Sequence, residues 1–403
     1  MRVLYVTAHV PHAQAYGAQQ RVLGIARLLA RFGKVSLVLA VPESWNIDPE
    51  AIEKTRQEFD VLAVFRMRYL RRVGIVHRLR HDLDATYRHV YDFVAAPADT
   101  RIVMRLMREH NLTWIHTDQL ATSLGISISE DTVLDADDLP SRRYASSIAL
   151  DNSWGRKLLD KRMEWLWHRR EKRFVERFSV VCVCSEEDRS YLGSSPRIFA
   201  LPNGYHPVET VPSLRVRPLK RFGFLGNLEH EPNADGLEWF IGFVWPLLAA
   251  ELPDIQLRLV GAGTERLSEP SRGITGLGWI PDVEDEMGTW SAMIVPVRRG
   301  SGTRVKIAEA FARGCPVIST RYGAFGYAVQ HEKQLLFANN AQEFAVACAR
   351  IASDPALRER LSEAAGRYFL RSLSWDSLSG VMESIVERAL GAKTENTGGV
   401  CRS

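Results

Sequence analysis

Short apolar runs alternate with amphipathic segments along most of this chain. The runs are rich in β-branched residues and nearly continuous in hydrophobicity, which is typical of buried strands in a parallel sheet. The stretches between them carry apolar residues at helical spacing, beginning with roughly 18–31. This alternation predicts an α/β fold built from doubly wound parallel sheets. The clearest strand runs are VLYVTA (3–8), VSLVLA (35–40), VLAVFRM (61–67), VVCVC (180–184), IQLRLVGAG (255–263) and CPVIST (315–320).

The same pattern starts afresh in the second half of the chain. Pro202-Asn203-Gly204 reads as a turn and a hinge, and the apolar runs resume at 221. A chain of 403 residues is also long for one hydrophobic core. We therefore expect an N-terminal domain at 1–205 and a C-terminal domain at 206–370. A last helix at 371–390 and a polar, disordered tail at 391–403 complete the prediction.

Composition narrows the class of protein. The 46% hydrophobic and 25% charged residues exclude a fibrous or wholly disordered chain, and the net charge of +4 is mild. No apolar run is long enough to cross a bilayer, and Met1-Arg2 leads into a strand without a signal-peptide pattern. The five cysteines have no metal-ligand spacing and an odd count, which favours a reducing, cytoplasmic location.

The segment 291–326 concentrates the candidate chemistry. A buried-strand signal, SAMIVPV (291–297), runs into a loop with Gly300, Ser301 and Gly302, and a helix is predicted from Thr303 to Arg313. Bare backbone N–H groups and the positive end of the helix dipole then meet at one spot. This arrangement predicts an anion site.

Side chains on the predicted helix suit a nucleoside diphosphate. Gly302, Lys306 and Glu309 are spaced i, i+4, i+7 and share one face, while Ile307, Ala310 and Phe311 supply the core face. Arg304 and Lys306 can neutralise phosphate, and Glu309 can accept hydrogen bonds from sugar hydroxyls. The alternative is that Lys306 and Glu309 form an ordinary surface pair.

The sequence GSGTRVKIAEAFARGCPVIST, followed by GAFG at 323–326, resembles the donor-site signature of family 4-like glycosyltransferases with the GT-B fold. The resemblance implies two Rossmann-like domains facing each other across a cleft, with the last helix returning to the N-terminal domain. It also implies transfer of a sugar from a nucleoside diphosphate sugar to a hydroxyl, with retention and without a metal or other cofactor. The family's Glu-x7-Glu pattern is half present: Glu309 is the second Glu, and Ser301 stands at the first, as in a branch with GSGTR.

The resemblance also assigns roles to residues. Glu309 would bind the ribose, and Arg304 and Lys306 would stabilise the departing diphosphate as catalytic cations. They would replace an Arg and a Lys of the relatives, at whose positions Asn227 and Asn233 stand here. The remaining implied contacts are Gly17, Gly226, Gly300, Ser301, Gly302 and Thr303 with the phosphates, Trp279 and Ile280 with the nucleobase, and His116 with the donor sugar, or Asp118 in the alternative register.

An acidic strand end gives a second candidate cluster. TVLDADD places Asp135, Asp137 and Asp138 where a strand finishes. We predict either binding of acceptor hydroxyls or a hydrogen-bonded loop, and no metal site. The acceptor would be a saccharide or a lipid-linked saccharide.

Two basic segments carry interleaved apolar residues. RMRYLRRVGIVHRLR (66–80) and the predicted long helix at 154–178 combine arginines with leucines and tryptophans. Such segments suit an anionic membrane surface, here through 66–80 and 154–177, which would place the protein peripherally on the inner face. The alternative is a solvated helix face over the core. No nucleic-acid motif accompanies the arginines, so nucleic acid is not predicted as a partner.

Two other functions remain open from sequence. A sugar-nucleotide epimerase would use paired Rossmann domains but needs acid–base residues at the sugar carbon. A non-catalytic scaffold could keep the fold without the activity. Ser301 in place of the first Glu of the Glu-x7-Glu pattern would then indicate the loss of transfer.

Overall fold

The computed structural model describes residues 1–12, 17–69, 74–84, 93–150, 153–208 and 220–397. The chain divides into two compact units. The N-terminal unit comprises Met1–Pro202 and Leu378–Ser403, and the C-terminal unit comprises Asn203–Ser377. The sequence-based boundaries stood at 205/206 and 370/371.

The N-terminal unit is built on an eight-stranded sheet with the order β4-β3-β2-β1-β5-β6-β7-β8. All neighbouring strands are parallel except β3 and β4. The central strands are buried on both faces, because helices cover both sides of a parallel sheet. The strands are β1 (Arg2–Thr7), β2 (Lys34–Pro42), β3 (Asp60–Tyr69), β4 (Phe93–Val94), β5 (Leu112–His116), β6 (Thr132–Asp137), β7 (Val180–Val183) and β8 (Ile198–Ala200).

Nine helices within the described part of 1–202 connect these strands. They are α1 (Gly17–Ala30), α2 (Pro49–Glu58), α3 (Ile75–Leu83), α4 (Pro97–Glu109), α5 (Asp118–Leu124), α6 (Pro140–Leu150), α7 (Trp154–Glu171), α8 (Phe174–Arg177) and α9 (Glu186–Leu192).

Neither basic segment forms a single element in the structure. Two helices replace the predicted helix at 154–178. The first helix ends at Glu171, because the following residues turn to bury Phe174 and Phe178 in the core of the sheet. The segment 66–80 is not one element either. Its first residues belong to β3, 70–73 lie outside the described residues, and α3 begins at Ile75.

The C-terminal unit is built on a six-stranded, fully parallel sheet with the order β11-β10-β9-β12-β13-β14. The strands are β9 (Arg221–Leu225), β10 (Gln256–Val260), β11 (Ile274–Gly276), β12 (Ala292–Val295), β13 (Val317–Ser319) and β14 (Leu336–Phe337). The helices are α10 (Glu231–Trp239), α11 (Trp245–Glu251), α12 (Glu284–Gly288), α13 (Val305–Ala312), α14 (Ala341–Ser353) and α15 (Pro355–Ser372). A π-helical stretch, Phe240–Val244, joins α10 to α11.

The last helix, α16 (Ser379–Thr397), belongs to the N-terminal unit and contacts α1 and β7 there. Met382, Ile385 and Ala389 are fully buried, as expected for a helix that completes a core. The helix also extends into the predicted disordered tail as far as Thr397, through the strong helix formers Ala392, Lys393 and Glu395. Residues 398–403 lie outside the described residues.

No helix among the described residues is both long enough and apolar enough to cross a membrane.

Candidate functional site

The loop between β12 and α13 has the backbone that its glycines predict. Gly300 has φ +115° and Gly302 has φ +70°, a region that side chains with a Cβ rarely adopt. The helix begins at Val305, later than the predicted Thr303, because Gly302 is left-handed and Arg304 at the N-cap is extended. Ile307, Ala310 and Phe311 are fully buried, so the predicted core face of this helix is confirmed.

Arg304 shapes this loop from within. Its Nη1 donates to the carbonyl oxygens of Ser301, at 2.7 Å, and of Gly302, and the residue is only 9% exposed. The loop is held from the other side as well, because the hydroxyl of Tyr322 donates to the carbonyl oxygen of Gly300 at 2.9 Å. The guanidinium predicted to contact a diphosphate thus donates to the carbonyls of the loop that would hold it.

The side chain of Lys306 extends from α13 to the carboxyl end of β9. Its Nζ donates to Oδ1 of Asn233 at 2.9 Å and lies 4.7 Å from the centroid of the Phe224 ring. Asn233 in turn donates from Nδ2 to the carbonyl oxygen of Asn227 at 2.9 Å. A Cβ at position 226 would stand 2.7 Å from the amine, so Gly226 is the residue that leaves room for it. Asn233, which is itself held by the backbone of Asn227, therefore positions the amine of Lys306.

Burial, together with the nearby charge of Arg304, lowers the pKa of Lys306 to about 7, while Glu309 opposes the shift. The amine therefore changes charge near neutral pH instead of staying protonated throughout. An arriving diphosphate would favour the protonated form, since it brings negative charge to the amine.

We expect the affinity for a nucleoside diphosphate to fall as the pH rises from 7 to 9. If only the protonated amine binds, the dissociation constant rises by up to about fiftyfold over this range. Titration calorimetry at pH 6, 7, 8 and 9 measures it. Lys306→Arg is the control, because a guanidinium stays charged at every pH used. The same pH slope in Lys306→Arg would assign the titration to another group.

Glu309 is buried beside Tyr205, which was not among the site residues predicted from sequence. The hydroxyl of Tyr205 donates to Oε1 of Glu309 at 2.8 Å, and Nε of Arg313 lies 3.5 Å from the same oxygen. Burial raises the pKa of Glu309, while Arg313 and Tyr205 act in the opposite direction. Asn203 reaches the glycine loop in the same way and donates from Nδ2 to the hydroxyl of Thr303 at 2.9 Å. The predicted hinge at 202–204 thus supplies Asn203 to the site, and Tyr205 follows it directly. The Asn-Gly turn was the sequence signal for this segment.

The two residues predicted to contact the nucleobase have different environments. Trp279 is 62% exposed, whereas Ile280 packs against the core that includes α13. Both follow β11, at the carboxyl end of that strand. Trp279 is therefore the accessible member of the pair.

The remaining predicted site residues lie in the N-terminal unit. Gly17 is the first residue of α1, and His116 is the last residue of β5. Nε2 of His116 lies 3.5 Å from Oδ2 of Asp137, and its ring meets the ring of His9 edge-on, with centroids 5.3 Å apart. Burial opposes ionisation of Asp137, but the neighbouring imidazole of His116 and the charge of Arg21 hold its pKa below the usual range.

Asp118, the alternative predicted sugar contact, forms ion pairs inside the N-terminal unit. Its carboxylate is buried and accepts hydrogen bonds from Nε of Arg170, at 2.5 Å, and from Nη1 of Arg177. An aspartate at the end of a strand is a common ligand group, which is why the sequence suggested that role. In the structure, Arg170 of α7 and Arg177 of α8 are its partners. Asp118 joins these helices to α5.

Asp135, predicted either to bind acceptor hydroxyls or to belong to a hydrogen-bonded loop, also has its partner inside the N-terminal unit. It forms a fully buried ion pair with Arg21 of α1, with Nη2 and Oδ1 2.6 Å apart. Arg21 also donates from Nη1 to the carbonyl oxygen of Leu201 at 3.0 Å. This pair joins α1, β6 and the end of β8.

The structure thus brings together Gly226, the loop 300–304, Lys306 and Glu309 in the C-terminal unit. Gly17, His116 and Asp118 belong to the N-terminal unit. Within the described ranges, no three His, Cys, Asp or Glu side chains cluster as metal ligands.

Comparison with solved structures identifies the fold as that of the GT-B glycosyltransferases. The sucrose-phosphate synthase of Thermosynechococcus elongatus superposes with a TM-score of 0.65 at 16% identity, covering 97% of this chain and 100% of that one. HepE of Anabaena in complex with UDP gives 0.62 at 14% identity, covering 96% and 100%. TarM of S. aureus gives 0.65 at 7% identity, covering 96% and 100%. At these identities the likeness shows the fold, and it confirms the predicted class.

The family match lies in the C-terminal unit. Residues 219–354 match the family described as Glycosyl transferases group 1, which confirms the predicted resemblance to family 4-like glycosyltransferases. An uncharacterized 44.6 kDa protein in the cps region of Klebsiella pneumoniae is 29% identical over 133 residues. That match covers 30% of this chain and 34% of the relative, so it spans about a third of the relative's length.

Proposed function

We propose that this protein is a glycosyltransferase that moves a sugar from a nucleoside diphosphate sugar to a hydroxyl group. The observation that carries the proposal is the place of Lys306. Its amine lies at the carboxyl edge of a parallel sheet, beside Gly226 and close to a glycine loop at a helix start. Ligands of open α/β sheets bind at this edge, and the group 1 family match covers all of these residues.

The comparisons also suggest the substrates. HepE has been crystallised with UDP and with UDP-glucose, which supports a uridine diphosphate hexose as the donor here. The relative from a cps region supports exopolysaccharide biosynthesis, and WaaG, another structural neighbour, is involved in lipopolysaccharide biosynthesis. The proposed acceptor is a saccharide or a lipid-linked saccharide.

In the proposed reaction the protein stabilises the departing diphosphate. As the glycosidic bond breaks, negative charge grows on the leaving oxygen, and the amine of Lys306 meets that charge. Arg304 acts as a positioning residue, because its guanidinium donates to the loop carbonyls. Glu309 binds the ribose and His116 the donor sugar. Retention of configuration and catalysis without a metal or other cofactor complete the proposal.

A panel of radiolabelled nucleotide sugars tests the function. A transferase releases the nucleoside diphosphate and labels an added acceptor, and the anomeric configuration of the product reports retention. An epimerase converts the donor without an acceptor, and a scaffold does neither. Thermal stabilisation by uridine, guanosine and thymidine diphosphates identifies the base, since a ligand at 100 times its dissociation constant adds about 2.7 kcal/mol.

We expect Glu309→Gln to weaken binding of the preferred diphosphate at least tenfold while the protein stays folded. The substitution keeps the shape and the hydrogen bond from Tyr205 but removes the charge that makes a strong acceptor for ribose hydroxyls. Calorimetry measures the dissociation constant.

Tyr205→Phe is the matched control for Glu309→Gln. It removes the hydroxyl that donates to the carboxylate and leaves the carboxylate itself in place. An unchanged dissociation constant in Glu309→Gln would remove Glu309 from the site. An equal loss in both variants would mean that Glu309 acts through its contact with Tyr205.

A further inference from the structure

Helices α3 and α7 of the N-terminal unit expose large apolar side chains to an unusual degree. On α3 the exposed fractions are 75% for Ile75, 72% for Val76 and 76% for Leu83. On α7, Trp154 is 76% and Trp165 is 55% exposed. Single exposed apolar residues are normal on a protein surface, but a cluster on adjoining helices marks an interaction site. The full set, here called the α3–α7 surface, is Ile75, Val76, Leu79, Leu83, Trp154, Leu158, Leu159 and Trp165.

The two helices form one platform. Nη2 of Arg162 donates to both carboxylate oxygens of Asp82, at 2.5 and 2.6 Å. Arg169 donates to the carbonyl oxygens of Asp82 and Leu83 at the end of α3, at 3.2 and 3.4 Å. A cavity of about 390 Å³ lies at this seam, and side chains of both helices line it. The exposed apolar residues of α3 and α7 therefore lie on two helices that side-chain hydrogen bonds hold together.

Basic residues accompany the apolar ones. Trp154, Leu158 and Trp165 are spaced i, i+4, i+11 and share one face of α7, on which Lys161 also falls. Arg156 and Lys161 are exposed, and the guanidinium of Arg169 lies 4.5 Å from the centroid of the Trp165 ring. On α3, Arg78 and Arg80 are likewise exposed and alternate with the apolar residues.

We propose that the α3–α7 surface docks the protein on an anionic phospholipid bilayer. Tryptophans suit the boundary between acyl chains and headgroups, because their rings are apolar with one polar edge. Arginines and lysines beside them match the negative charge of the leaflet. A helix that lies in the interface needs this combination of an apolar face and cations, and needs no membrane-spanning length. The proposal concerns the N-terminal unit alone and does not depend on the donor site.

Co-sedimentation of the full chain with lipid vesicles tests the proposal. We expect binding to vesicles of phosphatidylglycerol and phosphatidylcholine at low salt, little binding to pure phosphatidylcholine, and release by salt. The double variant Arg156→Glu/Lys161→Glu should lower the partition coefficient by at least about twenty-five-fold, at about fivefold for each cation. Its control is Arg360→Glu/Arg371→Glu, an equal charge change at exposed positions of α15.

The apolar contribution is tested separately with Trp154→Ser/Trp165→Ser. We expect this variant to lose vesicle binding, while Phe243→Ser, which removes a 65% exposed side chain from the C-terminal unit, keeps it. Failure of the wild-type protein to bind anionic vesicles at low salt would overturn the proposal. Equal vesicle binding by the variants of the α3–α7 surface and by their control variants would also overturn it. A dimer in sedimentation that Trp154→Ser/Trp165→Ser dissociates, without wild-type vesicle binding, would assign the surface to a second copy of the chain.

Discussion

Replacing Lys306 with methionine is expected to lower turnover by about 10²–10³, with a smaller effect on the Michaelis constant for the donor. Methionine keeps an unbranched side chain over the Phe224 ring and removes only the cation. The loss falls on turnover because the charge of the leaving diphosphate grows in the transition state, where the amine interacts most strongly. Steady-state kinetics with the preferred nucleotide sugar give both constants.

A restoring variant makes the Lys306 test sharper. Oδ1 of Asn233 lies 2.9 Å from the Lys306 amine, so a lysine at 233 can bring its own amine to the same place. We expect Asn233→Lys to recover part of the rate in the Lys306→Met background. Normal turnover with only a raised Michaelis constant in Lys306→Met would mean that the cation binds ground and transition states alike. The proposed catalytic role would then be wrong.

Replacing Asp135 with alanine is expected to destabilise the N-terminal unit by about 3–5 kcal/mol. The variant leaves the buried guanidinium of Arg21 with only the more distant carboxylate of Asp137, whose Oδ1 lies 3.5 Å from Nε, and breaking a buried pair is far more costly than losing a surface pair. Hydrogen exchange localises the effect. Protection should fall in β1, β5 and β6 and persist in β9 and β12.

The control for Asp135→Ala removes both charges at once. In Arg21→Met/Asp135→Leu the buried cation disappears together with its partner, so the loss of stability should be much smaller than in the single variant. Equal exchange rates in Asp135→Ala and the wild type would show that the pair contributes little. A double variant as unstable as the single one would trace the effect to packing.

Local sequence predicted the strand, the glycine loop and the core face of α13. Each depends on neighbours in the chain: an apolar run, glycines able to take positive φ, and apolar residues at helical spacing. The helix was predicted to start at Thr303, two residues before its actual start at Val305, because a glycine loop and a helix N-terminus look alike in sequence. Only the backbone shows that Gly302 is left-handed and that Arg304 precedes the first turn.

The partners of charged residues could not be predicted in this way. Asp118 and Asp135 stand at strand ends, where ligand groups are common, and nothing nearby in sequence names their arginines. Arg170 and Arg21 reach them across the fold, from helices far away in the chain. Tyr205 lies 104 residues before Glu309 in the chain, so its contact follows from the packing of the C-terminal unit.

The N-terminal unit takes its last helix from the far end of the chain. Because α16 packs on α1 and β7, that unit lacks part of its core until the ribosome has made residues beyond Leu378. The C-terminal unit, in contrast, is encoded by one uninterrupted stretch, Asn203–Ser377. The domain that is synthesised first usually also folds first. Here the N-terminal unit is instead the last to complete its fold. The second domain can reach its native state while the first still waits for its closing helix.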